Sequence, residues 1–84
     1  MSKVQVKYRG NLAVLIGIVE ETLEAANVES VLRCIRKRHG KEVERAARSM
    51  LIARNGESIQ LQKGYKTKLK EGDLISFFPL CAGG

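Results

Sequence analysis

The last two residues of the sequence, Gly83 and Gly84, combine a carboxylate with a backbone that carries no side chains. A carboxylate is a poor electrophile and must be activated, for example as an acyl-phosphate anhydride, in a site that excludes water. Because glycine lacks a Cβ, Gly83 lets the backbone pass through a narrow channel. The segment from Pro79 onward reaches roughly 20 Å when extended. We therefore expect Gly84, read as a free C-terminus, to be the reacting group inside the active site of another protein.

The residues just before the two glycines are predicted to contact that partner. Alternation in the last apolar segment places Ile75 and Phe77 on one face of a strand and Phe78 on the other. If Ile75 and Phe77 point at a helix, Phe78 is exposed at the root of the tail and can anchor an interface. The alternative is that Phe78 packs against the tail or a loop. The predicted partner-binding residues are Phe78, Pro79, Leu80, Cys81 and Ala82.

Other chemistry is poorly supported by the residue types. Cys34 and Cys81 do not make a disulfide framework or a zinc site, and Cys81 is favoured as a tolerated tail residue over a reactive thiol. His39 has no Cys, His or acid at ligand spacing, so a capping or surface role is predicted, and no metal site. Asp73 is assigned to the turn after Gly72 and not to catalysis.

Length and charge narrow the classes of function. The chain has 84 residues and a formal charge of +6, which predicts one small domain with acidic partners rather than a self-sufficient enzyme. Only Tyr65 accompanies the cationic residues, so a solvated or steering surface is favoured over nucleic-acid binding. No apolar stretch has membrane-spanning length, and a cytoplasmic, reduced setting is expected. The two basic clusters are Arg33, Arg36, Lys37, Arg38, Lys41, Arg45 and Arg48, and then Lys63, Lys66, Lys68 and Lys70.

The first half of the chain is predicted to contain two strands and a helix. The period-two pattern of Val4, Val6 and Tyr8 indicates a strand with one buried face. The segment from 18 to 25 is interpreted as a second strand anchored by Val19 and Leu23, with part of a helix as the alternative. Asn27 then predicts the N-cap of a helix over 28–39, and Gly40 its left-handed end. The buried face of this helix should carry Val28, Val31, Leu32 and Ile35.

The second half is predicted to be mostly strands. Residues 41–48 are interpreted as a charged connection with at most a short helical turn around Val43 and Ala47. A short strand over 50–53 leads into Asn55-Gly56, a strong hairpin signal, and 58–61 is predicted as the return strand. After a turn at 71–73, the last strand runs from 74 to 78, where Pro79 ends it. The result is an α+β domain.

Three segments together resemble one family of small proteins. They are Ala53-Arg54-Asn55-Gly56-Glu57, the stretch from Leu69 to Pro79, and Gly83-Gly84. They are similar to the MoaD/ThiS family of sulfur carriers, and closer to MoaD. The resemblance implies a β-grasp, ubiquitin-like fold with a mixed four- to five-stranded sheet and one main helix packed on one face. It implies a folded domain over 1–78 and a flexible tail over 79–84.

The resemblance also implies a mechanism. A MoeB/ThiF-type enzyme uses ATP to adenylate Gly84, and a persulfide donor then converts the adenylate to a thiocarboxylate. In the MoaD branch, a MoaE-type large subunit accepts the carrier as the small subunit of molybdopterin synthase. The carrier itself binds no cofactor and is not an enzyme.

Two other functions remain open at the level of sequence. A ubiquitin-like modifier would join Gly84 to lysines of other proteins, and a basic nucleic-acid-binding module would not need Gly84 at all. The chain departs from the family in being basic and in carrying polar Gln5, Lys7 and Arg9 on the outward side of the first strand. These departures leave the receiving pathway open.

Overall fold

The computed structural model describes residues 1–80, which form one five-stranded mixed sheet with helices on one face. The α+β class predicted from the sequence is therefore correct. Two 3₁₀ turns follow the fourth strand, at Ile59–Leu61 and Gly64–Lys66. In chain order the other elements are β1 (Ser2–Lys7), α1 (Asn11–Ile16), β2 (Glu20–Ala25), α2 (Val28–His39), α3 (Lys41–Arg48), β3 (Leu51–Arg54), β4 (Glu57–Ser58) and β5 (Leu74–Phe78).

The two ends of the chain meet in the middle of the sheet. The strand order is β2-β1-β5-β3-β4, and β5 runs parallel to β1 and antiparallel to β3. Val6 pairs with Ile75, and Ile52 pairs with Phe77. Because paired residues share a face, these apolar side chains form one continuous layer beneath the helices.

The main helix, α2, occupies the predicted residues. The Asn27 side chain accepts a hydrogen bond from the Ser30 amide at 2.8 Å, which confirms the N-cap. The four residues of its predicted buried face are fully buried. The prediction for Gly40 is wrong, because its φ of +103° is paired with an extended ψ of 168°. The Gly40 amide donates a hydrogen bond to the Arg36 carbonyl in the last turn of α2, and the Gly40 carbonyl accepts one from the Glu44 amide. Gly40 therefore joins two helices.

The second of those helices, α3, replaces the predicted charged connection. Val43 and Ala47 are buried on one face, one turn apart, and the rest of the segment is charged. Glu44 and Arg48 form an ion pair across one turn at 2.9 Å. Two buried residues give too weak a periodic pattern to predict a helix from the sequence. They are enough to hold α3 in place once they pack against α2.

Residues 11–25 also differ from the prediction in two ways. Residues 11–16 form α1, which was not predicted because Val14 and Leu15 are exposed and blur the amphipathic pattern. Leu12 anchors this helix and is buried. In β2 the predicted anchor Leu23 is buried, but Val19 lies before the strand and is 67% exposed.

The hairpin after β3 confirms the Asn55-Gly56 turn, with φ of +52° and +85° at the two residues. The return strand was predicted too long, since β4 has only two residues. The Ser58 side chain accepts from the Gln60 amide and starts a 3₁₀ turn, which buries Ile59. Leu61 at the end of this turn is 76% exposed.

Candidate functional site at the root of the C-terminal tail

The tail leaves the domain from β5, the central strand of the sheet. Phe78 is the last residue of β5 and pairs with Leu51 of β3, which fixes the direction in which the chain departs. Pro79 and Leu80 follow and are exposed. The remaining predicted site residues, Cys81, Ala82, Gly83 and Gly84, lie outside the described residues, and their roles stay predictions.

Phe78 is half-buried on the face of the sheet that is turned away from α2. The guanidinium carbon of Arg9 lies 4.9 Å from the centroid of its ring, a cation–π geometry. Arg9 therefore covers part of the ring that the sequence interpretation left open to a partner. The role of Phe78 in partner binding remains a prediction.

Gly10 closes one side of the tail root. A Cβ at Gly10 would lie 3.1 Å from Cγ of Pro79, and Gly10 has φ +60° and ψ −140°. Only glycine adopts this conformation readily. Gly10 thus sets how closely the segment after β1 approaches the start of the tail.

We expect Gly10→Ala to lower the free energy of unfolding by about 1–3 kcal/mol, because the new side chain strains the backbone and pushes Pro79. Gly64→Ala is the matched control, since Gly64 also has positive φ, +58°, but nothing lies within 4 Å of its added Cβ. Urea denaturation measures both losses. Equal losses in the two variants would show that the contact with Pro79 contributes nothing.

Two cavities flank the root of the tail, and the larger one is mainly apolar. One of about 390 Å³ lies between α1, the end of α3 and Leu80, and another of about 120 Å³ lies between β3 and Leu80. Leu80 itself is 60% exposed. Sequence reasoning did not find these cavities, because several separate elements build them. The residues of the larger one are Asn11, Leu12, Ala46, Ser49, Met50, Pro79 and Leu80.

The buried carboxylate of Asp73 stabilises the turn before β5, at the opposite end of this strand from Phe78. Asp73 accepts hydrogen bonds from the Arg54 Nε at 2.7 Å, the Lys70 amide at 2.7 Å and the Asn55 side chain at 3.0 Å. Burial alone would raise the pKa of Asp73, but these donors outweigh it and lower the pKa from its ordinary value of 3.8. Asp73 serves the turn before β5, as predicted, and ties it to the hairpin.

A second polar cluster was missed by the sequence analysis. Glu21 accepts a hydrogen bond from the buried Tyr8 hydroxyl, lies 2.7 Å from Nε2 of His39 and pairs with Arg38 at 3.0 Å. Burial would raise the pKa of Glu21, but these partners together lower it. His39 is thus bound to an acid that is distant in sequence, and its ring is nearly perpendicular to the Tyr8 ring at a centroid distance of 6.3 Å. Nothing in the local sequence around His39 indicates this partner.

We expect the fold to lose stability in acid. The pKa values of Glu21, Asp73 and Glu29 are all lowered, the last by its hydrogen bonds from Arg48. Each group therefore stabilises the fold above its ordinary pKa of 4.5 for Glu or 3.8 for Asp, and that stabilisation is lost as pH falls through the lowered folded value. Urea unfolding between neutral pH and acid measures this loss.

Asp73→Asn should flatten part of that pH dependence, because the variant carries no charge to neutralise. Glu42→Gln is the matched control, since Glu42 is exposed and has no ion pair within residues 1–80. An acid slope that Asp73→Asn leaves unchanged would contradict this assignment.

The two basic clusters differ in how far acids neutralise them. Arg36 and Arg48 both pair with Glu44, while Arg33 and Arg48 pair with Glu29. By contrast, the lysines of the second cluster form no ion pair within the described residues. Most arginines of the first cluster are therefore ion-paired, while its lysines, like those of the second cluster, form no ion pair within residues 1–80.

Neither a cluster of metal ligands nor a membrane-spanning helix is found among residues 1–80. Among residues 1–80, no group of three or more His, Cys, Asp or Glu side chains is placed to hold a metal ion. No helix of that part of the chain is long and apolar enough to cross a bilayer. Cys34 lies on α2 and is partly buried against the core.

The decisive comparison is with protein families. A model described as the ThiS family matches residues 6–84, nearly the whole chain, including both terminal glycines. The chain belongs to the ThiS family. The resemblance to MoaD/ThiS proteins is thereby confirmed, and the chain is of the sulfur-carrier or ubiquitin-like modifier type. Among curated proteins, none matches this chain.

Solved structures place this ThiS-family chain in the β-grasp fold. The small archaeal modifier protein 1 from Methanosarcina acetivorans is 26% identical with a TM-score of 0.90, covering 100% of this chain and 98% of its own. A putative molybdopterin converting factor subunit 1 from Pyrococcus furiosus is 31% identical with a TM-score of 0.77, covering 94% and 98%. The predicted ubiquitin-like fold is correct.

A third neighbour is the complex of subunits 1 and 2 of the molybdopterin-converting factor from Helicobacter pylori. It is 24% identical to this chain with a TM-score of 0.70, covering 98% of this chain and 99% of the matched one. At this identity the likeness supports the fold alone. A protein of this fold has thus been solved together with a partner subunit.

Proposed function

We propose that this ThiS-family protein carries sulfur as a thiocarboxylate on Gly84. A MoeB/ThiF-type enzyme joins the Gly84 carboxylate to the AMP portion of ATP and releases pyrophosphate. The terminal sulfur of a persulfide donor then displaces AMP, and a second thiol of the donor cleaves the resulting acyl disulfide to leave the thiocarboxylate. The protein supplies the carboxylate and its handle, and it is not the catalyst of either step.

The observation that carries this proposal is that the family match runs to residue 84, which makes Gly83-Gly84 part of the shared pattern. The geometry of the tail root supports it, because Phe78, Pro79 and Leu80 leave a central strand that both neighbours hold in register. A partner enzyme can therefore bind the rigid domain while the tail enters the active site of that enzyme. Such thiol chemistry fits the reduced cytoplasm.

The receiving pathway that we favour is molybdenum or tungsten cofactor synthesis with a MoaE-type subunit. The 31% identity to a putative molybdopterin converting factor subunit 1 supports this choice. Conjugation of Gly84 to lysines of other proteins is the second candidate, because a small archaeal modifier protein shares 26% identity over the full chain. Both candidates share the activation step and differ in the acceptor.

Mass spectrometry of the protein isolated from its native cell separates the two. We expect free protein in which one oxygen of Gly84 has been exchanged for sulfur. Gly84 found only in isopeptide linkage to lysines would replace the carrier by the modifier. Material that carries neither modification, under conditions in which the cell makes the cofactor, would contradict both.

A further inference from the structure

A cation-lined cavity lies beside the 3₁₀ turns. It has a volume of about 380 Å³, and no carboxylate lines it. Its charged residues are Arg54, Lys63, Lys66 and Lys68, with Gln62 and Thr67 between them. The three lysines are exposed, and none is ion-paired within residues 1–80.

The backbone that carries these lysines is held in place by hydrogen bonds. Thr67 is buried, and its hydroxyl accepts from the Lys63 amide at 3.1 Å and donates to the Gly64 carbonyl at 2.6 Å. The Thr67 carbonyl accepts from the Val28 amide at the start of α2. The turn therefore presents its ammonium groups from a fixed frame, which lowers the entropy lost on binding.

Arg54 gives the cavity a preoriented fork of donors. Its Nε donates to Asp73 at 2.7 Å and its Nη1 to Gln62 at 3.2 Å, while its Nη2 has no partner within residues 1–80. Asp73 balances the charge of Arg54, but it leaves those Nη2 donors free. A planar guanidinium held in this way matches the oxygens of a phosphate, and the lysines add positive charge around it.

The basic cavity between α2 and α3 provides an internal contrast. It is lined by Arg36, Lys41, Arg45 and Arg48, but Glu44 lies among them and pairs with two of the arginines. Two of those four cations are therefore ion-paired, although Lys41 and Arg45 form no ion pair within residues 1–80. In the cavity at the 3₁₀ turns only Arg54 is ion-paired within those residues, and no carboxylate lines the cavity, which favours an anion there.

We propose that the cavity formed by Arg54, Lys63, Lys66 and Lys68 binds a phosphate-bearing anion of about pyrophosphate size. Three ammonium groups that form no ion pair within residues 1–80, together with the Nη2 donors of Arg54, match two or three negative charges in a shallow open site. The proposal goes beyond the carrier function and does not depend on it.

The proposed anion site shares no lining residue with the two cavities at Leu80. Arg54 pairs with Ile75 near the start of β5, whereas Leu51 pairs with Phe78 at its end, three residues or about 10 Å further along the strand. An anion bound beside Arg54 would therefore occupy none of the residues that line the tail root.

Titration of the full chain, labelled with ¹⁵N, by sodium pyrophosphate at constant ionic strength tests the proposal. We expect saturable shifts confined to the amides of residues 54 and 62–68. The double variant Lys63→Gln/Lys66→Gln should bind about tenfold more weakly, since it loses two charge-assisted contacts. Arg54→Lys keeps the charge but loses the fork, and it should also weaken binding.

The matched control is Lys37→Gln/Lys41→Gln, which removes the same charge from exposed positions outside this cavity. It should leave the dissociation constant within about twofold, as expected for screened surface charges. Shifts that do not saturate, or equal weakening in both double variants, would overturn the proposal. The outcome is independent of whether Gly84 is charged with sulfur.

A second titration, with a single-stranded oligonucleotide, identifies the source of the phosphate. Competition between the oligonucleotide and pyrophosphate at the same amides would assign the site to a nucleic-acid backbone. Deletion of Gly83 and Gly84 should not alter that affinity. Saturation by pyrophosphate without competition assigns the site to a small phosphorylated molecule, and both results support the anion site.

Discussion

Deletion of Gly83 and Gly84 is expected to abolish ATP–pyrophosphate exchange by the cognate MoeB/ThiF-type enzyme. The deletion moves the reacting carboxylate to Ala82 and withdraws it by two residues, about 7 Å of extended chain. Misplacement of a reacting group by even 1 Å can cost about a hundredfold in rate, so exchange should fall by more than that. Isotope exchange between labelled pyrophosphate and ATP measures the loss directly.

The fold should survive this deletion, because the whole apolar core lies within residues 4–77. The urea midpoint of the shortened chain should therefore equal that of the parent protein. Glu42→Gln is the control, since it changes an exposed residue of α3 and keeps the length of the tail and the carboxylate of Gly84. Exchange that persists after the deletion would remove the basis of the carrier mechanism and of the modifier alternative alike.

Phe77→Ala is expected to lower the free energy of unfolding by about 3–5 kcal/mol. Phe77 is fully buried beneath the helical layer, and its ring stacks on Tyr8 at a centroid distance of 5.9 Å. It also pairs with Ile52 in the register of β3 and β5. A small domain is stable by only about 5–15 kcal/mol, so this one substitution removes a large share. Urea denaturation measures the loss.

Phe78→Ala is the matched substitution one residue further along β5. Phe78 is half-buried on the opposite face, where Arg9 covers its ring. We expect a loss of only about 1 kcal/mol, consistent with an exposed cation–π contact and partial burial. Activation by the partner enzyme should fall while the fold remains. Equal destabilisation by the two substitutions would show that Phe78 is a core residue and not a contact for a partner.

Much of the fold could be predicted from local patterns. Alternation in β1 and β5, the capped amphipathic helix α2 and the Asn55-Gly56 turn all depend on neighbours within a few residues. The predictions that are wrong involve segments whose signal is weak or mixed. α1 carries exposed apolar residues, α3 buries only Val43 and Ala47, and β4 stops after two residues because a side-chain cap starts a 3₁₀ turn.

The candidate site, like the fold, could be predicted only in part from the sequence. The predicted tail residues follow one another in the chain, so Gly83-Gly84 and the Pro79 boundary were visible without a structure. The cavities at Leu80 were not, because their walls come from separate elements. The link from Glu21 to His39 joins residues 18 apart, and that from Arg54 to Asp73 joins residues 19 apart. Local sequence patterns do not predict pairs between residues that are so far apart in the chain.

The amino-acid order alone predicted a small α+β domain of the sulfur-carrier or modifier type, with Gly83-Gly84 as its reactive segment. Periodicity, capping and turn preferences are properties of adjacent residues, and a diglycine end is chemistry that needs no fold to be seen. Which charges are free was decided only by the tertiary structure. Glu44 pairs with Arg36 and Glu29 with Arg48 across α2 and α3, while the lysines near Arg54 form no ion pair within residues 1–80, since pairing depends on proximity in space.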